Sequence, residues 1–219
     1  MVTCAILIAV RVIHASGPLL GNDSFQYLSM ADNAVHGRIA FTSIVQYDAE
    51  RSLGVIPAPV VTFPAGYPLA VALVSRLGLN FETAALLISA LSMIACVPIL
   101  AWLASRLGLS TGARIVVLAA FSINALVSKY GADALSEGLF TLLVLVGAAL
   151  LVSARLHSAG ETRRLWLAAG LAFGAAYFVR YAGLFLVVGL GVLCVRHLAA
   201  RHREAVSYTH LTLPTNREV

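Results

Sequence analysis

Thr83-Ala-Ala-Leu-Leu-Ile-Ser-Ala-Leu-Ser-Met-Ile-Ala-Cys-Val-Pro-Ile-Leu-Ala-Trp-Leu-Ala104 runs for 22 residues without a charge. At about 1.5 Å per residue a helix of this length crosses the ~30 Å hydrocarbon layer of a bilayer. Pro98 is the residue expected to kink it. This stretch reads as a membrane span, and it makes the chain an all-α polytopic transmembrane helix bundle.

Composition agrees. The chain has 219 residues, of which 60% are hydrophobic and 11% charged, with a mean hydropathy of +0.89. A soluble domain carries about 25% charged residues, so this chain has too little polar surface to cover a water-soluble core. The net charge is +5, from fourteen Arg and one Lys against ten acids. The arginines fall between apolar runs, which is the positive-inside pattern of a membrane protein. No basic surface interleaved with aromatics is present, so nucleic acid is not an expected partner. Cys4, Cys96 and Cys194 each lie inside an apolar run, without disulfide or zinc spacing.

Beyond this span, Arg106 and Arg114 flank a short loop without acids, read as cytoplasmic. A third span is expected over about 113–127, a polar stretch over 128–137 and a fourth span over about 139–154. Arg155, Arg163 and Arg164 form the next basic loop. The apolar region 165–195 would make a helix of ~46 Å, too long for one upright span. Two short spans turning near Arg180 fit it better. Gly170-x-x-x-Gly174 permits close helix packing.

Toward the N-terminus, Met1 to Ile13 is apolar with no basic region before it, and reads as a span clipped at its start rather than a removed signal. The long region from Asn22 to about Glu82 holds Asp23, Asp32, Asp48 and Glu50. Ser24 to His36 reads as an amphipathic interfacial helix with Phe25, Leu28, Ala31 and Val35 on its apolar face, ended by Gly37. Pro57, Pro59, Pro64 and Pro68 break the chain. Leu69 to Leu77 is then an interfacial or re-entrant helix, too short to span. The expected total is about six membrane segments with a long extracytoplasmic first loop. The basic loops share one side, and the acidic loop, the 129–137 stretch and the Arg180 turn share the other.

From Val206 the composition changes to a Thr-rich polar tail that looks like a translated sequencing adapter. Residues 206–219 are therefore set apart as non-native, and 1–205 are read as the N-terminal part of a longer protein.

Ionisable groups at membrane depth are costly and mark functional sites. Five qualify: Asp23, Lys129, Asp133, Glu137 and Arg180. On the expected topology all five reach one membrane face. Asp23 is suited to cap the Ser24 helix, and equally to serve as a general base or metal ligand. Asp133 and Glu137, four apart, share a helical face, and their repulsion favours a cation, a metal or a partner Arg. Lys129 is placed to pair with Asp133. The fork of Arg180 suits phosphate, and snorkelling to the headgroups is the alternative use. Arg11 is expected to snorkel.

Gly21-Asn-Asp-Ser-Phe-Gln-Tyr27, Phe63-Pro-Ala-Gly-Tyr-Pro-Leu69, Ala132-Asp-Ala-Leu-Ser-Glu-Gly-Leu-Phe140 and Tyr177-Phe-Val-Arg-Tyr-Ala-Gly183 follow one another in an order that resembles the GT-C superfamily of polytopic glycosyltransferases. The closer likeness is to the protein O-mannosyltransferase and aminoarabinose-transferase type. It covers about residues 1–205 and departs from the mannosyltransferase pattern at Ser24, where a second acid would follow Asp23.

The resemblance implies a sugar donor linked to polyprenyl phosphate and a glycan, lipid or protein acceptor. It implies inverting transfer at the extracytoplasmic face of a bacterial plasma membrane. Asp23 would be the catalytic base. Asp133, Glu137, Arg180, Lys129 and Tyr67 would bind substrate, with Arg180 and Lys129 on the lipid phosphate. A divalent cation held by Asp23 and Glu137 is the cofactor the resemblance allows. The competing readings are a transporter fragment with charges along a substrate path, and a non-catalytic membrane scaffold.

Overall fold

The computed structural model of the chain describes residues 1–14, 20–44, 53–156 and 159–196. Gly17-Pro18, Asp48, Glu50 and the tail from Val206 lie outside the described residues. The described chain is mostly helical. In order it forms α1 (Val2–His14), α2 (Asn22–Val35), β1 (Phe41–Thr42), β2 (Ala58–Pro59) and α3 (Gly66–Ser75). These are followed by α4 (Phe81–Arg106), α5 (Thr111–Ile123), α6 (Ala125–Ala132), α7 (Glu137–Ala154) and α8 (Ala159–Val179). A short apolar helix, α9 (Tyr181–Arg196), opens with the 3-10 turn Tyr181–Gly183.

By length and composition α4 and α7 can cross a membrane, and α5 with α6 makes a third crossing if the bent pair counts as one span. The 22-residue stretch lies wholly inside α4, and Asn80 caps that helix by accepting from the Thr83 amide at 2.7 Å. The expected all-α fold needs one amendment. In the long loop, β1 and β2 pair antiparallel, Phe41 opposite Pro59 and Thr42 opposite Ala58.

Three local expectations are corrected. The 113–127 span is broken: α5 ends at Ile123, Asn124 is extended and accepts from the Leu126 amide, and α6 leaves at 51°. The first half of the expected polar stretch, 128–132, is helical. At this break Arg11 Nη1 donates to the Ile123 carbonyl at 2.9 Å and to Ser128 Oγ at 3.2 Å. It supplies a partner that the interrupted helix leaves without one. In α2 the buried set is Ser24, Gln26, Tyr27, Met30, Ala31 and Asn33, while Phe25 is 52% exposed. Of the expected face, Ala31 is buried and Leu28 and Val35 pack against the same cluster, while Phe25 points away and Tyr27 takes its place, because α2 lies against α3 and touches α4. Gly37, at φ +81°, does end the helix region.

Small residues set the close approaches. Lipid tails are as apolar as leucine, so helices in a membrane associate by packing rather than by escape from water. A Cβ on Gly147 of α7 would sit 2.5 Å from the Phe173 ring of α8. The Gly170-x-x-x-Gly174 pair does not play this part. A Cβ on Gly174 would meet nothing within 4 Å, and one on Gly170 would meet only Leu190, at 3.8 Å.

Two buried clusters result. Ile8, Val12, Met93, Val97, Leu118, Val127 and Ala132 join α1, α4, α5 and α6. Tyr27, Ala31, Tyr67, Val71, Ala72, Ala84, Ala85, Ala134 and Val179 form the other, where α2, α3 and the ends of α4 and α8 meet. The second cluster is the floor of the site.

Candidate functional site

The long apolar region breaks where an arginine falls within it. Arg180 takes an extended conformation, φ −147° and ψ 134°, between α8 and the 3-10 turn. Its Nη1 lies 2.7 Å from Glu137 Oε1, in the first turn of α7, and donates to Ser136 Oγ at 3.1 Å. The end of α8 is therefore held to the start of α7, and the two helices run as an antiparallel hairpin. The alternation continues through the bundle, so Arg106, Arg114, Arg155, Arg163 and Arg164 sit at helix ends opposite the Arg180 end.

Ser136 Oγ is also 3.1 Å from the Tyr27 hydroxyl. Tyr27 packs edge-on against Phe63, ring centroids 5.4 Å apart, and against Tyr67 at 5.1 Å. Tyr67 is fully buried, and its hydroxyl bonds Ser89 Oγ at 3.3 Å and the Ala85 carbonyl at 3.4 Å. Burial raises the pKa of both phenols above the ordinary tyrosine value. For Tyr27, the Ser136 hydrogen bond and the Arg180 charge work against that rise. Both phenols are therefore neutral hydroxyls that hold geometry.

Above this floor opens a cleft of about 220 Å³ lined by Asp23, Tyr27, Thr62, Phe63, Pro64, Arg180, Tyr181 and Ala182. Tyr181 fixes the loop on its far side by donating to the Val61 carbonyl at 2.7 Å. Gly66 admits α8 closely enough to form the wall, since a Cβ there would lie 2.5 Å from the Phe178 carbonyl oxygen.

The expected residues separate into groups. Asp23 and Arg180 face the same cleft. Asp23 is not the helix cap: Gly21 is, with its amide donating to Ser24 Oγ at 3.1 Å, and Asp23 stands exposed in the first turn. Glu137 lies behind Arg180, so of its three expected partners the structure shows the arginine. Tyr67 lies beneath the cleft rather than on its wall.

Asp133 is 4% exposed, and burial raises its carboxyl above the usual range, with the Lys129 charge opposing and that of Glu137 adding. Lys129 itself is exposed on α6 and makes no ion pair with Asp133 among the described residues. Neither of the two lines the cleft. No group of three or more His, Cys, Asp or Glu suited to a metal ion is gathered among the described residues. Of the two carboxylates named for a divalent cation, Glu137 spends Oε1 on Arg180, its Oε2 has no hydrogen-bond partner among the described residues, and Asp23 lies on the cleft.

Ser136, Phe63, Tyr27 and Tyr181 complete the site without having been singled out from sequence. All four sit inside the four quoted motifs, which was the available signal. The chain matches no protein-family model, no curated protein and no solved structure.

Proposed function

We propose that this chain belongs to a membrane glycosyltransferase that moves a sugar from a polyprenyl-phosphate donor to an acceptor hydroxyl at the extracytoplasmic face of a bacterial plasma membrane. The observation that carries the reading is a carboxylate and a guanidinium, Asp23 and Arg180, on one open cleft. Glycosyl transfer to a hydroxyl uses both charges. Asp23 takes the acceptor's proton as the acceptor oxygen bonds the anomeric carbon from the face opposite the phosphate. The bond from that carbon to the phosphate oxygen breaks, the electron pair leaves with the lipid phosphate, and Arg180 stabilises it. The anomeric configuration inverts.

Glu137 and Ser136 hold the guanidinium in place, and Tyr27 props Ser136. In this reading about six segments meet the membrane, with α1, α8 and α9 added to the crossings that length alone supports. The arginine-bearing helix ends then face the cytoplasm.

The test compares wild type with Asp23→Asn in membranes, measuring polyprenyl phosphate released from a labelled polyprenyl-phosphate sugar. Release by wild type, with an inert but equally inserted Asp23→Asn, supports the reading. No release by wild type from any donor tried would overturn it and move the cleft charges to a transport path.

A further inference from the structure

At the opposite end of the bundle a groove of about 490 Å³ opens between the start of α1, the last turns of α4 and the start of α5. Pro98, Ala101 and Leu118 give it an apolar floor, and Trp102, Ser105 and Arg114 stand toward its α4–α5 end. The size is that of a pocket for a small ligand rather than a gap between side chains. Arg106 lies over the Trp102 ring, 5.5 Å from its centroid. This leaves the indole between a cation and the groove. Arg114 spends its Nε on the Leu109 carbonyl, at 2.8 Å, which fixes the stem of the side chain. Neither arginine pairs with a carboxylate among the described residues.

One cation in the groove wall, Arg114, a second behind the indole, Arg106, and an interfacial tryptophan match one ligand chemistry, an acyl chain ending in an anionic headgroup. Tryptophan settles at headgroup depth, and basic side chains at a membrane surface draw anionic lipid. A soluble anion would gain nothing from the apolar floor, and a neutral lipid would leave the positive charge of both guanidinium groups without a counter-charge. The geometry points to a bound anionic phospholipid here, its phosphate at Arg114 with Arg106 adding positive charge from behind the Trp102 indole, and an acyl chain along Pro98, Ala101 and Leu118. This site is separate from the Asp23 cleft and does not depend on the activity proposed for it.

The chain has two tryptophans, so Trp166→Phe leaves Trp102 as the sole reporter in the full-length protein reconstituted in bilayers. Fluorescence quenching by phosphatidylglycerol brominated on its acyl chains is compared with that by phosphatidylcholine brominated in the same way, at equal bulk fractions. The expected result is preferential quenching by the anionic lipid, corresponding to about fivefold enrichment per arginine. Arg106→Gln with Arg114→Gln brings it down to the phosphatidylcholine level, and Arg106→Lys with Arg114→Lys retains most of it. The lysine variant controls for the loss of fold that removing the Leu109 contact could cause. Equal quenching by the two lipids in the Trp166→Phe protein overturns the proposal. So does quenching by neither together with a stable dimer, which would assign the groove to a second copy of the chain.

Discussion

Arg180 and Glu137 meet at 2.7 Å across 43 residues of chain, joining the point where α8 stops to the point where α7 begins. The pair is half-hidden, at 35% and 23% side-chain exposure, and Ser136 shares the guanidinium. Its worth lies between that of an exposed pair and that of a buried one. Glu137→Gln and Arg180→Gln are each expected to cost about 1–3 kcal/mol of stability. The double variant should cost less than their sum. Denaturant unfolding in detergent micelles measures this, and additive costs would show that the contact contributes no coupling.

Asp23 is where the proposed catalysis and stability are expected to separate. Its carboxylate caps nothing and makes no hydrogen bond or ion pair among the described residues, so Asp23→Asn removes only a favourable charge near a helix N-terminus. The expected loss is under about 1 kcal/mol, alongside complete loss of the transfer activity proposed above. Ser24→Ala is the contrasting variant. It removes the buried hydroxyl that accepts from the Gly21 amide and should cost about 1 kcal/mol. If Asp23→Asn proves the more damaging to unfolding, the carboxylate is structural after all.

Glycine substitutions discriminate the packing that the structure shows from the packing the sequence suggested. Gly147→Ala drives a methyl into the Phe173 ring and is expected to destabilise by about 1–3 kcal/mol. Gly66→Ala meets the α8 backbone, which cannot rotate away, and should also displace Arg180. Gly174→Ala meets nothing, and should be neutral or stabilising by up to about 1 kcal/mol through helix propensity. Thermal unfolding of the three variants ranks them. A Gly174→Ala as harmful as Gly147→Ala would restore the Gly-x-x-x-Gly reading.

What the sequence disclosed follows from the range of the forces. The extent of α4 and α7 was legible because a long uncharged run has one stable form in a bilayer. The break at Arg180 was legible because an arginine at that depth needs an exit or a partner. The break at Asn124 was not, because the apolar run continues through it and its carbonyl partner, Arg11, lies 112 residues away. One residue on the buried face of α2 was misread for the same reason. Phe25 is the more apolar residue, but Tyr27 is buried because Ser136, 109 residues on, meets its hydroxyl. In the candidate site, charge singled out Asp23 and Arg180, which line one cleft, while the neutral residues that hold Arg180 carry no comparable signal.

Asp133 yields a pH dependence of definite sign. It lies one residue past α6, is nearly inaccessible, and its Oδ1 has no hydrogen-bond partner among the described residues. Burial raises its folded-state value, so the fold binds the proton more tightly than the unfolded chain does. A raised value contributes stability that is fully present below the unfolded value, about 3.9, and is lost as pH rises through the folded value. Over that window the wild type should become less stable with increasing pH. Asp133→Asn keeps a neutral side chain of the same shape, removes this part of the slope, and should exceed the wild type in stability at pH 7. Lys129→Gln acts the other way: without the opposing charge the Asp133 value rises further and the loss extends to higher pH. Unfolding midpoints of the three proteins between pH 4 and pH 8 decide the matter. A wild-type slope that persists unchanged in Asp133→Asn would assign it to another group.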